Sequence, residues 1–188
     1  MLKYIEEAGK YVEITGFRNL GIKDAEEFVK ATREKLPQNS DVQFFDAELV
    51  ATWQHLYFAV LNALLAFKNE RNISKSVAME AMLYASAQRQ IRKAIDFMGV
   101  KCASANVAVV IIGENAESVE ALMSAVSKRV GKKPDDAVLK LLDEKVQGIR
   151  EAFGVTETEL ETVMEKSNGE QALVNLVIER MALLATQL

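Results

Sequence analysis

Residues that carry catalysis, metal binding and covalent cross-links are scarce in this sequence. It contains one cysteine, Cys102, and one histidine, His55, among 188 residues. A single cysteine excludes an internal disulfide framework and suits a reducing compartment. One histidine without a cysteine beside it falls short of the ligand count of a zinc site. We expect Cys102 to be an inert core thiol and His55 to be a core or near-surface histidine satisfied by one hydrogen bond.

Sequence motifs of known catalytic sites are also absent. The chain has no H-E-x-x-H, no C-x-x-C, no G-x-S-x-G and no G-x-x-x-x-G-K-[ST]. Its nine glycines do not cluster into a loop that holds a phosphate. Pairing of Cys102 with His55 as nucleophile and base is a distant alternative, because nothing in the sequence orients the two side chains. The sequence therefore does not support an enzyme, and no cofactor is expected.

No apolar run is long enough to cross a membrane. The most apolar one, LYFAVLNALLAF at Leu56–Phe67, has 12 residues, whereas a membrane-spanning helix needs roughly 20. The first ten residues, MLKYIEEAGK, are charged and lack the apolar stretch of a secretory signal. These features predict a soluble cytoplasmic protein without a membrane partner.

The order of apolar patterns predicts an α+β (mixed α/β) fold, a small β-sheet packed by several α-helices with a helical C-terminal third. Strands are expected at Tyr11–Phe17, Asp41–Ala47 and Asn106–Ile112. Helices are expected at Ile22–Leu36, at Glu48–Lys68, from an N-cap at Ser74 to about Tyr84, and at Ala116–Val130. The stretch up to Gly99 either continues the helix that Ser74 begins or restarts after Ser86. We expect one domain over residues 1–188, in which residues from about 135 to 188 pack on the rest or dock a partner.

Charge is unevenly distributed in this weakly acidic chain. The net charge of −4 and the pI of about 5.2 exclude a uniformly basic nucleic-acid-binding protein but not a local basic patch. Residues 68–101 carry seven basic and three acidic side chains, whereas residues 143–188 carry four basic and nine acidic ones. Such a division can serve two partners on two surfaces.

The segment YASAQRQIRKAID at Tyr84–Asp96 combines the basic residues with an amphipathic pattern. Five residues at helical spacing are expected to face the core: Tyr84, Ala87, Ile91, Ile95 and Met98. Four charged residues then face outward: Arg89, Arg92, Lys93 and Asp96. Cations one turn apart can each contact a phosphate oxygen, and glutamine can read base edges. The pattern alone favours a solvated helix face and leaves an RNA-binding surface open.

Two further segments have ambiguous roles. SKRVGKKP at Ser127–Pro134 is most simply a helix C-terminus whose cations complement the helix dipole. VIERMALLATQL at Val177–Leu188 carries an apolar stripe that either packs on its own domain or offers a surface to a partner.

Several segments in a fixed order resemble one known family, the TPRKB-like subunits of the KEOPS complex. They are W-x-H-L-x-F-A-V-x-N-A (Trp53–Ala63), N-I-x-K-S (Asn72–Ser76), M-L-Y-A-S-A-Q-R-Q-I-x-x-A-I (Met82–Ile95), the strand A-V-V-I-I, F-G-V-T-x-x-E-L-E (Phe153–Glu161) and E-R-M-A-L-L (Glu179–Leu184). The resemblance covers most of the chain from about residue 41 onward. It rests on order and spacing, since none of the segments is a ligand or catalytic signature, and the compact length looks archaeal.

The resemblance implies a non-catalytic subunit of the complex that installs threonylcarbamoyl on the adenosine beside the anticodon of ANN-decoding tRNAs. In that family the subunit binds a small kinase/ATPase subunit and helps to recruit tRNA by holding its single-stranded 3′ CCA end. Carried onto this sequence, the RNA-binding residues are Arg89, Gln90, Asn72, Lys75, Met82, Tyr84, Arg92 and Lys93. The corresponding kinase-binding residues are Arg180, Met181, Leu183 and Leu184.

The resemblance implies two further details of the RNA site. Backbone N–H groups of the loop and helix start around Asn72 and Lys75 are expected to receive a phosphate. Met82 and Tyr84 are expected to offer apolar surface to an unstacked base. The alternative to the RNA-binding subunit is a general adaptor that docks another protein through its C-terminal helix and whose basic face is only solvated.

Overall fold

The computed structural model describes residues 1–34, 36–37, 40–164 and 168–186. Within these ranges, four strands form one sheet and eight α-helices pack around it, which confirms the predicted α+β class. The strands are β1 (Leu2–Ile5), β2 (Lys10–Phe17), β3 (Asp41–Asp46) and β4 (Val107–Gly113). The helices are α1 (Ala25–Arg33), α2 (Trp53–Lys68), α3 (Val77–Ala85), α4 (Ile91–Met98), α5 (Ala116–Val130), α6 (Asp143–Phe153), α7 (Glu157–Met164) and α8 (Gly169–Thr186). Two short 3₁₀ helices lie at Ala47–Leu49 and Asp136–Leu139.

The sheet is antiparallel throughout, with the order β1-β2-β4-β3. Strand β4 lies between β2 and β3, and its residues from Val107 to Ile112 are buried. Phe17 at the end of β2 and Asp46 at the end of β3 both pair with Val107 at the start of β4. We call this end of the sheet, marked by those three residues, its lower end.

Helices cover both faces of the sheet, and two separate hydrophobic clusters result. Val12 and Ile14 of β2 face the larger cluster, which contains apolar residues of α2, α3, α4, α6, α7 and α8. Phe17 faces the smaller cluster, which α1 and α5 close. Each large apolar side chain that is fully buried there contributes roughly 1.5–3 kcal/mol relative to exposure. Burial on both faces is the physical reason why β4 has an uninterrupted apolar sequence.

Strand β1 was not predicted, because its sequence carries little apolar signal. It is four residues long and lies at the sheet edge, and only Ile5 of its side chains is buried. Lys3 lies over the ring of Trp53, 5.1 Å from the ring centroid. An edge strand with one core residue lacks the period-two pattern from which strands are recognised.

Helix starts follow the capping side chains more closely than the apolar patterns. The carboxylate of Asp24 accepts a hydrogen bond from the N–H of Glu27 (2.9 Å), so α1 begins three residues later than predicted. The hydroxyl of Thr52 caps α2 in the same way, which leaves Glu48 in a 3₁₀ helix. Ser76 caps α3, and the prediction of Ser74 was therefore wrong. Such a side-chain acceptor satisfies one of the otherwise unpaired N–H groups of the first turn.

The segment between α3 and α4 breaks the helical phase on which one prediction depended. Ala87 has a left-handed backbone (φ 50°), the N–H of Gln88 donates to the carbonyl of Leu83, and that of Ala87 donates to the carbonyl of Tyr84. These bonds form a Schellman motif, which ends a helix. Because α4 restarts with a new phase, Ile91 and Ile95 are 41% and 43% exposed, and the prediction that they face the core was wrong.

Helix α8 packs against its own protein along most of its described length. Leu173, Val177 and Met181 are buried in the larger cluster together with residues of α2 and α6. A capping box begins α7, since the N–H of Glu159 donates to the Thr156 hydroxyl and the N–H of Thr156 donates to the Glu159 carboxylate. The C-terminal helices are therefore part of the same core as α2.

A buried lysine joins α6 to the segment that precedes α2. The Lys145 ammonium donates to the backbone carbonyls of Val50 (2.9 Å), Lys140 (3.4 Å) and Val138 (3.5 Å). Only 6% of the residue is exposed, and burial lowers the pKa of Lys145 in spite of attraction by Glu48 and other nearby carboxylates. The ammonium thus satisfies carbonyls that secondary structure leaves unpaired.

We expect Lys145→Met to lower the free energy of unfolding by about 1–3 kcal/mol, because the variant keeps the apolar stem but removes the donor to three carbonyls. Urea unfolding at neutral pH measures the change. Lys140→Met is the matched control, since the Lys140 side chain is exposed. Equal stability of the two variants would contradict the role assigned to the buried ammonium.

Candidate functional site

The basic residues of the predicted RNA site begin at the turn between α3 and α4, and this turn is anchored by His55. The Nε2–H group of His55 donates to the carbonyl of Ala85 (2.8 Å), the last residue of α3. Its Nδ1 atom accepts a hydrogen bond from the N–H of Ala51 (3.4 Å). Because Ala51 follows β3 and the adjoining 3₁₀ helix, these two bonds hold the end of α3 at the lower end of the sheet.

The partners of His55 fix its protonation state. A carbonyl only accepts and an N–H only donates, so Nε2 carries the proton and Nδ1 presents a lone pair. The ring is fully buried, and burial together with the nearby Lys145 charge lowers the pKa of His55 from 6.5 to about 4. His55 is thus a core histidine, as predicted, with two hydrogen bonds rather than one.

The N-terminus of α4 is electropositive for two independent reasons. Gln90 occupies the N-cap position without a side-chain cap, and the first turn contains no acidic residue. The unpaired N–H groups of such a turn carry a partial positive charge. Arg92 and Lys93 in this turn and Arg89 just before it are exposed and add full positive charges. A phosphate placed here would meet both N–H donors and cations.

The apolar part of this surface comes from residues that were expected elsewhere. Met82 and Tyr84 are 1% and 3% exposed in the core of α3 and offer no surface to a base, so that prediction was wrong. They are buried because α3 packs between α2 and the sheet. Ile91 and Ile95 lie one turn apart on α4 and are exposed beside the cations. The prediction assumed one helical phase from Tyr84 to Met98, whereas the break at Ala87 turns these two isoleucines outward.

Asn72 and Lys75 lie at the other end of α3 from Arg89. The nine residues of α3 separate them by roughly 12 Å along the helix axis. Both are exposed, and the Asn72 amide donates to the carbonyl of Ser74 (2.9 Å). The structure therefore divides the exposed members of the predicted RNA-binding set into two groups at opposite ends of α3.

The backbone around Asn72 is already occupied by an internal carboxylate. Glu80, which is 1% exposed, accepts hydrogen bonds from the N–H of Ile73 (3.1 Å) and of Ser74 (2.7 Å). The N–H of Ala78 donates to Asp41 (3.3 Å). The expectation that backbone N–H groups here receive a phosphate was wrong for Ile73, Ser74 and Ala78, because carboxylates of the protein already accept their hydrogen bonds.

The predicted kinase-binding residues are also divided by burial. Met181 and Leu184 are 0% and 4% exposed and belong to the core, so they present no surface to a partner, contrary to prediction. Leu183 is 44% exposed. The Arg180 guanidinium donates to the Glu159 carboxylate. Hydrogen bonds from the Thr156 backbone and then from Arg180 lower the pKa of Glu159 to about 2.

The remaining predictions concern catalysis and membranes. Cys102 is exposed in the loop before β4, so the prediction of a core thiol was wrong, while His55 is buried and has both ring nitrogens paired. Among the described residues, no group of three or more His, Cys, Asp or Glu could hold a metal ion. Within the same ranges, none of the helices has the length and apolar character needed to cross a bilayer.

Comparison with known proteins identifies the family. The family model described as Kinase binding protein CGI-121 matches residues 17–185. The Regulatory protein Cgi121 of Methanocaldococcus jannaschii is 32% identical over 142 residues, which are 76% of this chain and 81% of that protein. The chain belongs to the CGI-121 family of kinase-binding proteins. The family resemblance inferred from the sequence is thereby confirmed, and an archaeal relative fits the archaeal character inferred from the length.

We expect the anchoring histidine to make stability depend on pH between about 6.5 and 4. In this range an unfolded chain protonates His55 and the folded protein does not, so the free energy of unfolding falls as the pH falls, by about 3 kcal/mol in all. Below pH about 4 the folded protein also takes up the proton and the loss from His55 ends.

The measurement is urea unfolding of the wild type and of His55→Phe at pH 7 and pH 4.5. Other groups titrate in both proteins, so the difference between the two unfolding free energies isolates His55. The wild type should lose its advantage at the lower pH. A difference that is the same at both pH values would contradict the assignment of a neutral, buried imidazole.

Proposed function

We propose that this protein is a non-catalytic, cytoplasmic subunit of the KEOPS complex. In this proposal it binds the small kinase/ATPase subunit and recruits tRNA for threonylcarbamoyladenosine formation through the 3′ CCA end. Membership of a kinase-binding family supports the first half. The second half rests on the family resemblance and on the electropositive N-terminus of α4.

The single observation that carries the RNA part of the proposal is the combination of charges and donors at α4. Cations at a helix N-terminus are unfavourable for helix stability, because they face the positive end of the dipole. Arg92 and Lys93 nevertheless occupy the first turn, and no acidic residue offsets them there. A bound phosphate would relieve this repulsion. An anion is therefore the ligand that this arrangement fits best.

We call the exposed residues Arg89, Gln90, Ile91, Arg92, Lys93 and Ile95 the α4 surface. The proposed mode of binding uses both its polar and its apolar side chains. Arg89, Arg92 and Lys93 contact phosphates of the single-stranded end, and Gln90 is available to a base edge. Ile91 and Ile95 offer apolar surface to an unstacked base, in place of the buried Met82 and Tyr84. Phosphate contacts of this kind release counterions, so affinity should fall steadily as salt rises.

The kinase contact is proposed for the exposed side of α8. Of the residues predicted from the sequence, Leu183 and the partly exposed Arg180 remain available on the surface. Leu183 offers apolar area that a partner can bury. The hydrogen bond to Glu159 holds the Arg180 side chain in one orientation. In the proposed contact, Arg180 therefore meets the kinase subunit with an already ordered side chain.

An adaptor without RNA binding is the alternative. Met181 and Leu184 are buried in the protein's own core. An adaptor would therefore have only a small exposed apolar patch on the described part of α8 with which to bind its partner. The α4 surface would then be only solvated. The salt dependence of tRNA binding distinguishes the two functions, because phosphate contacts weaken with salt and apolar docking need not.

We expect the double variant Arg92→Glu/Lys93→Glu to bind tRNA at least about tenfold more weakly than the wild type. The slope of log affinity against log salt concentration should also become less steep by about 1.4, because two phosphate contacts to a single strand are lost and each contributes about 0.7. Fluorescence anisotropy with intact tRNA and with tRNA lacking its CCA end measures both quantities. Removal of the CCA end should weaken tRNA binding by the wild type and leave tRNA binding by the variant nearly unchanged.

The matched control is Lys30→Glu/Lys68→Glu, which changes the net charge equally. Lys30 lies on α1 and Lys68 at the far end of α2 from the lower end of the sheet. The control should bind tRNA close to the wild-type level. Equal weakening by both double variants, or tRNA binding that ignores the CCA end, would contradict the proposed RNA site.

We expect Leu183→Glu to weaken binding to the kinase subunit about tenfold or more, because burial of one leucine contributes roughly 1.5–3 kcal/mol. Isothermal titration calorimetry with the purified kinase subunit measures it. Leu142→Glu is the matched control, since Leu142 is 43% exposed and lies just before α6. If the two variants bind equally well, the kinase does not contact this side of α8.

A further inference from the structure

A second cationic surface lies at the end of α5, on the other side of the sheet from α4. It consists of Lys128, Arg129, Lys132 and Lys133, four exposed cations within six residues that contain no carboxylate. We call these four residues the α5-end surface. The sequence pattern explained them as complements of a helix dipole, which accounts for the two inside α5. Lys132 and Lys133 lie beyond Gly131, whose left-handed backbone (φ 72°) ends the helix.

Two of these cations are held in place by backbone oxygens. The Arg129 Nε–H group donates to the carbonyl of Ala31 (3.3 Å), and the Lys132 ammonium donates to the carbonyl of Asn19 (2.8 Å). Lys128 and Lys133 make neither a hydrogen bond nor an ion pair with the described part of the chain. The surface therefore has a fixed half and a half whose charges are available to a ligand.

The acidic residues near this surface are mostly engaged elsewhere. Asp24 caps α1, and Asp135 pairs with Arg18 (2.7 Å). Glu27 faces the groove of about 380 Å³ between α1 and α5, which Arg129 and Lys132 also line. The local net charge at the end of α5 is therefore positive, although the net charge of the whole protein is −4.

The α5-end surface and the α4 surface lie at the same end of the sheet. Helix α5 follows β4 and runs back to its start, and Lys132 contacts the loop after β2, where the N–H of Leu20 donates to the carbonyl of Ala105 (2.7 Å). The chain from α4 reaches β4 through this same segment before Val107. One helix layer on each side of a sheet separates the two surfaces by on the order of 20 Å.

We propose that the α5-end surface binds the phosphate backbone of an RNA duplex while the α4 surface holds the adjoining single-stranded end. The proposal rests on the proposed tRNA-binding function and extends it from the CCA end to the paired stem beside it. A nucleic-acid duplex carries on the order of one phosphate charge per 2 Å of axis, so it presents several phosphates over the distance between the surfaces. Backbone contacts of this kind position the RNA without reading its sequence.

The test compares three RNA probes with the full-length protein at low and moderate salt. They are an acceptor-stem hairpin ending in CCA, the same hairpin without CCA, and a short single strand ending in CCA. The variant is Lys128→Glu/Lys133→Glu, which removes no contact within the described protein. Arg92→Glu/Lys93→Glu reports on α4, and Lys30→Glu/Lys68→Glu is the charge control.

We expect Lys128→Glu/Lys133→Glu to weaken binding of both hairpins about tenfold and to leave the single strand within twofold of wild type. The proposal would be overturned if Lys128→Glu/Lys133→Glu bound the hairpins as tightly as the wild type. It would also be overturned if this variant lost no more hairpin affinity than the charge control Lys30→Glu/Lys68→Glu. Failure of the wild type to bind the hairpin without CCA would overturn it as well. A third outcome separates the two proposals: the variant loses hairpin binding, and the wild type does not bind the single strand. This outcome would support the duplex-binding surface and would contradict the proposed CCA site at α4.

Discussion

The burial of β4 on both faces is the constraint on which the rest of the structure depends. An apolar strand paired on both sides has no exposed edge and no solvent face, so helices must cover the sheet twice. Helices α2, α3 and α8 cover one face, and α1 and α5 cover the other. Because β4 begins where β2 and β3 end, the connections from both helix layers converge at the lower end of the sheet. The two cationic surfaces lie at this end because the topology brings the end of α5 and the start of α4 there.

Long elements with a strong apolar pattern could be predicted from the sequence, because burial imposes their period. The bounds of α5 agree with the prediction to the residue, and the central helix α2 was recognised from apolar residues on all its sides. Helix ends were harder. In the part of the chain that the structure describes, three helices end in Schellman motifs, with Glu70, Ala87 and Gly154 in the left-handed position. Of these only the glycine has a sequence signal, since a left-handed backbone costs other residues roughly 1–2 kcal/mol and is rarely expected of them.

The change of helical phase between α3 and α4 explains what could be predicted of the site. The charged residues Arg89, Arg92 and Lys93 were placed on the surface, and the structure agrees. The apolar residues were assigned the wrong way round, because a continuous helix through Ala87 would bury Ile91 and Ile95. The internal anion at Glu80 could not be foreseen either, since its partners Ile73 and Ser74 are brought to it only by the fold. The positions of charged residues follow directly from the sequence, whereas the burial of residues next to a helix break depends on tertiary packing.

The most direct test of the central claim is an NMR titration of the ¹⁵N-labelled protein with a short RNA strand ending in CCA. Binding at the N-terminus of α4 predicts shifts concentrated in the amides of residues 88–95, and in that of Ala85, whose carbonyl is held by His55. The same strand without CCA should produce small shifts there. If the CCA strand leaves these amides unchanged, or if both strands shift them equally, α4 is not the site that holds the tRNA end.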